Sequence, residues 1–100
     1  MGNKDKIYFT VTGITMRLPD TEFITPGMEV NLEKEPDNDW DKEAIKVKMI
    51  GIGQIGYVAN SVRTVISETY SAGRVYDKIG DTATAKVLYN MNNALVCEIV

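Results

Sequence analysis

Apolar residues recur along this chain at every second position, in short runs separated by turn signals. Ile7, Phe9 and Val11 alternate with Tyr8, Thr10 and Thr12, which predicts a first strand over 7–14. Gly13 marks a bend or a close backbone approach within it. Pro26-Gly27 is a turn signal, after which Met28, Val30 and Leu32 alternate with Glu29, Asn31 and Glu33 as a second strand. Pro36 ends that strand, because proline cannot donate to a ladder. Ile45, Val47 and Met49 form the inward side of a third strand, so Lys46 and Lys48 point outward together. Gly51-Ile52-Gly53 supplies a hairpin loop, and 54–58 is the fourth strand. Asn60 or Ser61 can cap a helix carrying Val62, Val65, Ile66 and Tyr70, with Gly73 as its C′ residue. That helix is rich in β-branched residues, so packing must hold it. Strands over 82–90 and 95–100, joined by a turn at 90–93, complete the chain. The expected fold is mainly β with one or two helices, a small, partly open six-stranded barrel.

With 100 residues and 44% apolar content, one domain is expected, with residues 1–6 as a flexible N-terminus. No apolar run approaches the roughly 18 residues of a membrane span. The N-terminus lacks a signal-peptide core, and Lys6 stands where a myristoylation motif wants Ser or Thr. The lone cysteine, Cys97, has no internal partner and reads as a structural thiol in a reducing, cytoplasmic setting. The net charge of −3 counts against a general nucleic-acid binder. Yet nine of the fourteen acids lie between Asp20 and Glu43, and the balance afterwards is basic. An anion-binding surface must therefore be local.

Histidine is absent, which removes Ser-His-Asp and Cys-His catalysis and His-ligated zinc. Gly51-x-Gly53-x-x-Gly56 matches a dinucleotide fingerprint, but no helix begins inside it, so it reads as a hairpin turn. Asp37-x-Asp39-x-Asp41 resembles the start of a calcium loop, but Lys42 and Lys48 occupy positions that need Gly and Glu. No lysine has the acid two residues earlier that a metal-dependent nuclease core would need. No cofactor, metal site or enzyme activity is expected. Trp40, the only tryptophan, sits in the acidic loop 35–43. It is either a core anchor folded back under the loop or a platform for a nucleobase.

Thr12-Gly13-Ile14, the run Glu35-Pro36-Asp37-Asn38-Asp39-Trp40-Asp41-Lys42-Glu43-Ala44-Ile45-Lys46-Val47, and Ile55-Gly56-Tyr57-Val58 together resemble the HIRAN domain. The resemblance implies an OB-like barrel that captures the 3′ end of single-stranded DNA. In that comparison Trp40 stands for the ring that stacks on the terminal nucleotide. Asp41 stands for the carboxylate that accepts from the free 3′-hydroxyl, and Asn38 for a polar partner of the same nucleotide. Tyr57 replaces a histidine, and Tyr89 matches an aromatic for the next base. The chain departs from the eukaryotic members at Thr15-Met16, where they place a basic residue and an aromatic, with Arg17 one step later. Met16 can cover a base face with its thioether. Asn60 also replaces an expected basic residue. Lys46 and Lys48 are the candidate phosphate contacts, joined by Arg17 or Lys86. The expected partners are a single-stranded DNA 3′ end and DNA-processing proteins, with no membrane. The alternative is a protein-interaction module that keeps the barrel and does not bind DNA.

Overall fold

The computed structural model describes residues 6–60 and 69–100. Its elements run β1 (Tyr8–Thr12), α1 (Ile14–Arg17), β2 (Glu29–Lys34), β3 (Ile45–Met49), β4 (Gly53–Val58), α2 (Ala72–Tyr76), β5 (Thr82–Asn90) and β6 (Leu95–Ile99). All ladders are antiparallel and the order is β1-β4-β3-β2-β5-β6, with β6 returning to β1. The barrel is thus closed rather than partly open. Closure gives each of the six strands a neighbour on both sides, so none of them is an edge strand open to template another chain.

The alternating pattern is the reason for this arrangement. Val30 and Leu32, Ile45 and Val47, Ile55, Val87 and Leu95 are fully buried and fill the interior from six sides with Phe9 and Val11. Cys97 is buried among them, and burial pushes its thiol up to about 12, which suits an inert packing group. Pro26 and Gly27 occupy the centre of a turn closed by the Met28 N–H on the Thr25 carbonyl at 3.2 Å. Gly27 has φ 95°, as the third position of a type II turn requires. The first and second fingerprint glycines lie in the β3–β4 hairpin at φ 85° and 94°, and the third lies in β4; no helix starts there.

Three sequence expectations are corrected. The first strand stops at Thr12 instead of continuing to 14, because Gly13 turns left-handed at φ 81° and a single helical turn follows. That turn drives Ile14 into the core and leaves Met16 and Arg17 on the surface. Gly73 does not end a helix; it lies inside α2, which is capped by Ser71, whose Oγ accepts from the Arg74 N–H at 3.4 Å. Tyr70 is bridged to Phe9 as a parallel β-partner instead of standing on a helix. The rest of the expected mid-chain helix, over 61–68, lies outside the described residues. No helix among the described residues is long and apolar enough to cross a membrane.

The narrowest seam joins β1 to β4 through two registered pairs, Val11↔Val58 and Thr12↔Tyr57. Gly56 makes that seam possible. A Cβ there would overlap the Thr12 carbonyl oxygen and lie 3.1 Å from Val11 Cγ1 and 3.3 Å from Ile14 Cγ2. Gly56→Ala is therefore expected to destabilise the protein by about 1–3 kcal/mol, the usual cost of overpacking. Urea unfolding of the two proteins checks this: the midpoint should fall with an unchanged slope.

Candidate binding site at the barrel rim

The outward face of the barrel builds the floor of the site. Glu33 of β2 stands opposite Lys46 of β3, and Lys46 stands opposite Tyr57 of β4. These three side chains form one row across three strands. The chain then leaves β2 through a turn, in which the Glu35 N–H donates to the Ala44 carbonyl at 2.8 Å and the Asn38 N–H to the Glu35 carbonyl at 3.0 Å. Pro36 sits inside this turn, where its missing N–H costs nothing.

Asn38 shapes the loop beyond. Its Oδ1 accepts from the backbone N–H groups of Trp40 and Asp41, both at 2.9 Å, and its Nδ2 donates to Glu35 Oε1 at 3.2 Å. Trp40 is held out at 92% exposure, so the ring is not folded under the loop. The Asp41 carboxylate is half-buried. Its Oδ1 accepts from the Glu43 N–H and its Oδ2 from Asn60 Nδ2, each at 2.9 Å. Asn60 in turn accepts the Gly73 N–H at 2.9 Å, which ties the loop to α2.

Tyr57 is half-buried, and its hydroxyl donates to Glu35 Oε1 at 2.8 Å. The Arg17 guanidinium lies 5.8 Å from the centre of the Tyr57 ring, at the limit of a cation–π contact. Lys46 Nζ is 3.2 Å from Glu33 Oε1 and 3.6 Å from Glu35 Oε2, and Lys48 Nζ is 3.4 Å from Glu33 Oε1. Both lysines therefore already have carboxylate partners. Lys46 and Lys48 hold the Glu33 carboxyl below its ordinary value, and Glu33 raises Lys46 in return. Burial pushes the Glu35 carboxyl up, but the hydrogen bonds from Tyr57 and Asn38 and the Lys46 charge outweigh it and leave it below the ordinary 4.5.

Asn38, Trp40, Lys46 and Tyr57 line one concavity of about 480 Å³, together with Glu33, Glu35, Asp37 and Asp39. Four of the nine residues expected from the sequence are thus gathered. Asp41 and Arg17 touch the same network from outside the lining. Lys48 joins through Glu33. Met16 is 89% exposed on α1, one residue before Arg17. Tyr89 is 64% exposed on β5, beyond the residues paired to β2, and does not line the concavity. Glu35 is the site residue that sequence reading passed over. Its signal was its place as the last outward residue before Pro36, on the same face as Glu33. Among the described residues, no three acidic or cysteine side chains converge to hold a metal ion.

The fold is that of a small OB-like barrel, closed and six-stranded, with a concavity beside one rim loop. The chain belongs to the HIRAN domain family, whose sequence model it matches over residues 5–99. That family is known generally as a DNA-binding module. A crystal structure of the HIRAN domain of human HLTF is similar, with a TM-score of 0.65 and 18% identity, over 94% of this chain and 72% of that one. At that identity the likeness is one of fold. No curated protein matches the chain in sequence.

The Glu35 carboxyl gives a signed pH dependence. A carboxyl whose folded value is lowered contributes stability above its unfolded value, near 4.5, and loses it as pH falls through the lower folded value. Stability should therefore decline on acidification below about pH 4.5. Glu35→Gln should flatten part of that decline, as read from urea midpoints taken between neutral and acid pH.

Proposed function

We propose that this chain is a non-catalytic DNA-binding module that captures the 3′ end of single-stranded DNA. The observation that carries the reading is the Trp40 ring, 92% exposed at the edge of a nucleotide-sized concavity and anchored by Asn38 through its backbone. An aromatic ring held in the open by a hydrogen-bonded loop suits stacking on a terminal base, worth about 1–3 kcal/mol and tolerant of sequence. Asp41 supports the reading as well. Each carboxylate oxygen has a second lone pair beyond its internal partner, so a free 3′-hydroxyl can donate to it. Tyr89 and Met16 would serve bases further along the strand, and Arg17, Lys46 and Lys48 its phosphates.

A second reading, a protein-interaction module on the same face, is favoured by one observation. The lining holds four carboxylates against Lys34 and Lys46. Both amines are engaged: Lys34 Nζ donates to the Ile79 carbonyl at 2.9 Å and lies 4.2 Å from the Tyr76 ring centre, and Lys46 is paired to glutamates.

Fluorescence anisotropy with a 5′-labelled single strand separates the two. A 3′-phosphate would bring extra negative charge against Asp41, so exchanging the 3′-hydroxyl for a phosphate should weaken binding at least tenfold. Asp41→Ala should abolish most of that discrimination, and Trp40→Ala should weaken both ligands about equally. Equal affinity for the two ends would end the 3′-end reading, and absence of binding up to high micromolar concentration would favour the protein-interaction module. With Lys46 and Lys48 tied to glutamates, the log–log salt slope should be no steeper than about −2, at roughly 0.7 per phosphate contacted.

A further inference from the structure

Within the rim site one side chain meets polar groups of both the floor and the loop. Glu35 Oε1 accepts both the Tyr57 hydroxyl and the Asn38 amide, and Glu35 Oε2 faces the Lys46 ammonium. The connections continue in one line. Asn38 holds the backbone of Trp40 and Asp41, Asp41 holds Asn60, and Asn60 holds the start of α2 at Gly73. A network of this kind spans β4, β3, the loop and α2, yet Glu35 is where strand and loop meet.

We propose that Glu35 is the positioning residue of this site: it sets the Tyr57 ring and, through Asn38, the Trp40–Asp41 backbone in the one arrangement that a ligand engages. The inference rests on the DNA reading above for its ligand, but not for its geometry. The physical reason is that Trp40, with its ring in solvent, has few packing contacts of its own to fix its direction. Its direction comes from the backbone, and the backbone is held at two N–H groups by the single Oδ1 of Asn38. Asn38 can present that oxygen to the loop only with its Nδ2 turned the other way, and Glu35 Oε1 is the acceptor that receives it. Glu35 also fixes the phenol of Tyr57, so one carboxylate sets the relative placement of two rings carried by different elements. Its Oε1 already accepts two hydrogen bonds and its Oε2 faces Lys46, and its role is to hold other groups.

Two measurements on the whole chain test this, and the first needs no ligand. In Glu35→Ala the amides of Trp40 and Asp41 should exchange with solvent at least tenfold faster, while those of Val47 and Val87 in the barrel change less than threefold. Glu35→Gln keeps an oxygen that can accept from Tyr57 and Asn38, so it should restore most of the protection. The second measurement uses a 5′-labelled single-stranded oligonucleotide with a free 3′-hydroxyl. Glu35→Ala should weaken binding at least tenfold and Glu35→Gln at most threefold. Glu35→Ala combined with Tyr57→Phe should cost less than the product of the two separate losses, because both remove one contact. Unchanged exchange in Glu35→Ala, a Gln variant as impaired as the Ala variant, or losses that multiply would each overturn the proposal. If the unaltered chain does not bind the oligonucleotide, the DNA reading fails alone, and the exchange data still decide the role of Glu35.

Discussion

The approach of β4 to β1 at Gly56 is the constraint on which the rim depends. Only two registered pairs close the barrel there, and the Thr12 carbonyl occupies the place a side chain at 56 would need. With no Cβ in the way, β4 lies flush against β1, and the next residue, Tyr57, turns outward beside Lys46. The same contact receives α1. Ile14 enters the core next to Gly56, and Arg17, three residues on, comes over the Tyr57 ring. A position with no side chain thus determines where an aromatic ring and its cation meet.

The charges above this seam are largely matched within the protein. Glu33 serves Lys46 and Lys48, and Glu35 serves Lys46. Exposed pairs of this kind are worth little to stability, a median of about 0–1 kcal/mol. Their consequence is for recognition. A phosphate approaching Lys46 must displace carboxylates that already neutralise it, and such an exchange gains little. What the concavity offers without exchange is the Trp40 ring and carboxylate acceptors. On the DNA reading proposed above, this surface would meet the uncharged parts of a nucleotide, its base face and its hydroxyl donors, more than its backbone.

Much of the fold was legible in two-residue alternation. β3 and β5 occur where Ile45, Val47 and Met49 and the 82–90 run predict them, because a strand with one buried face writes that face into every second residue. Short local structures were not. Tyr8 to Ile14 keeps a strand-like pattern through Gly13, and only the left-handed glycine converts its end into a helical turn. Closure was equally invisible, since pairing of β6 with both β1 and β5 is a relation between distant segments that no local pattern encodes.

For the site, the amino acids alone determined the chemistry available: no histidine, one tryptophan, an acidic loop beginning at a proline, and the order Asn38-x-Trp40-Asp41. Side-chain types and short-range turn preferences are local properties, and they survive without a fold. Tertiary structure decided which groups meet. Glu35 touches Tyr57, twenty-two positions away, only because β2, β3 and β4 lie side by side. Lys46 and Lys48 look like free cations in the chain and become partners of Glu33 for the same reason. Asp41 reaches Asn60, and through it α2, across the rim. Hydrogen bonds and ion pairs act over a few ångströms, so their partners are set by the three-dimensional path of the chain and not by its order.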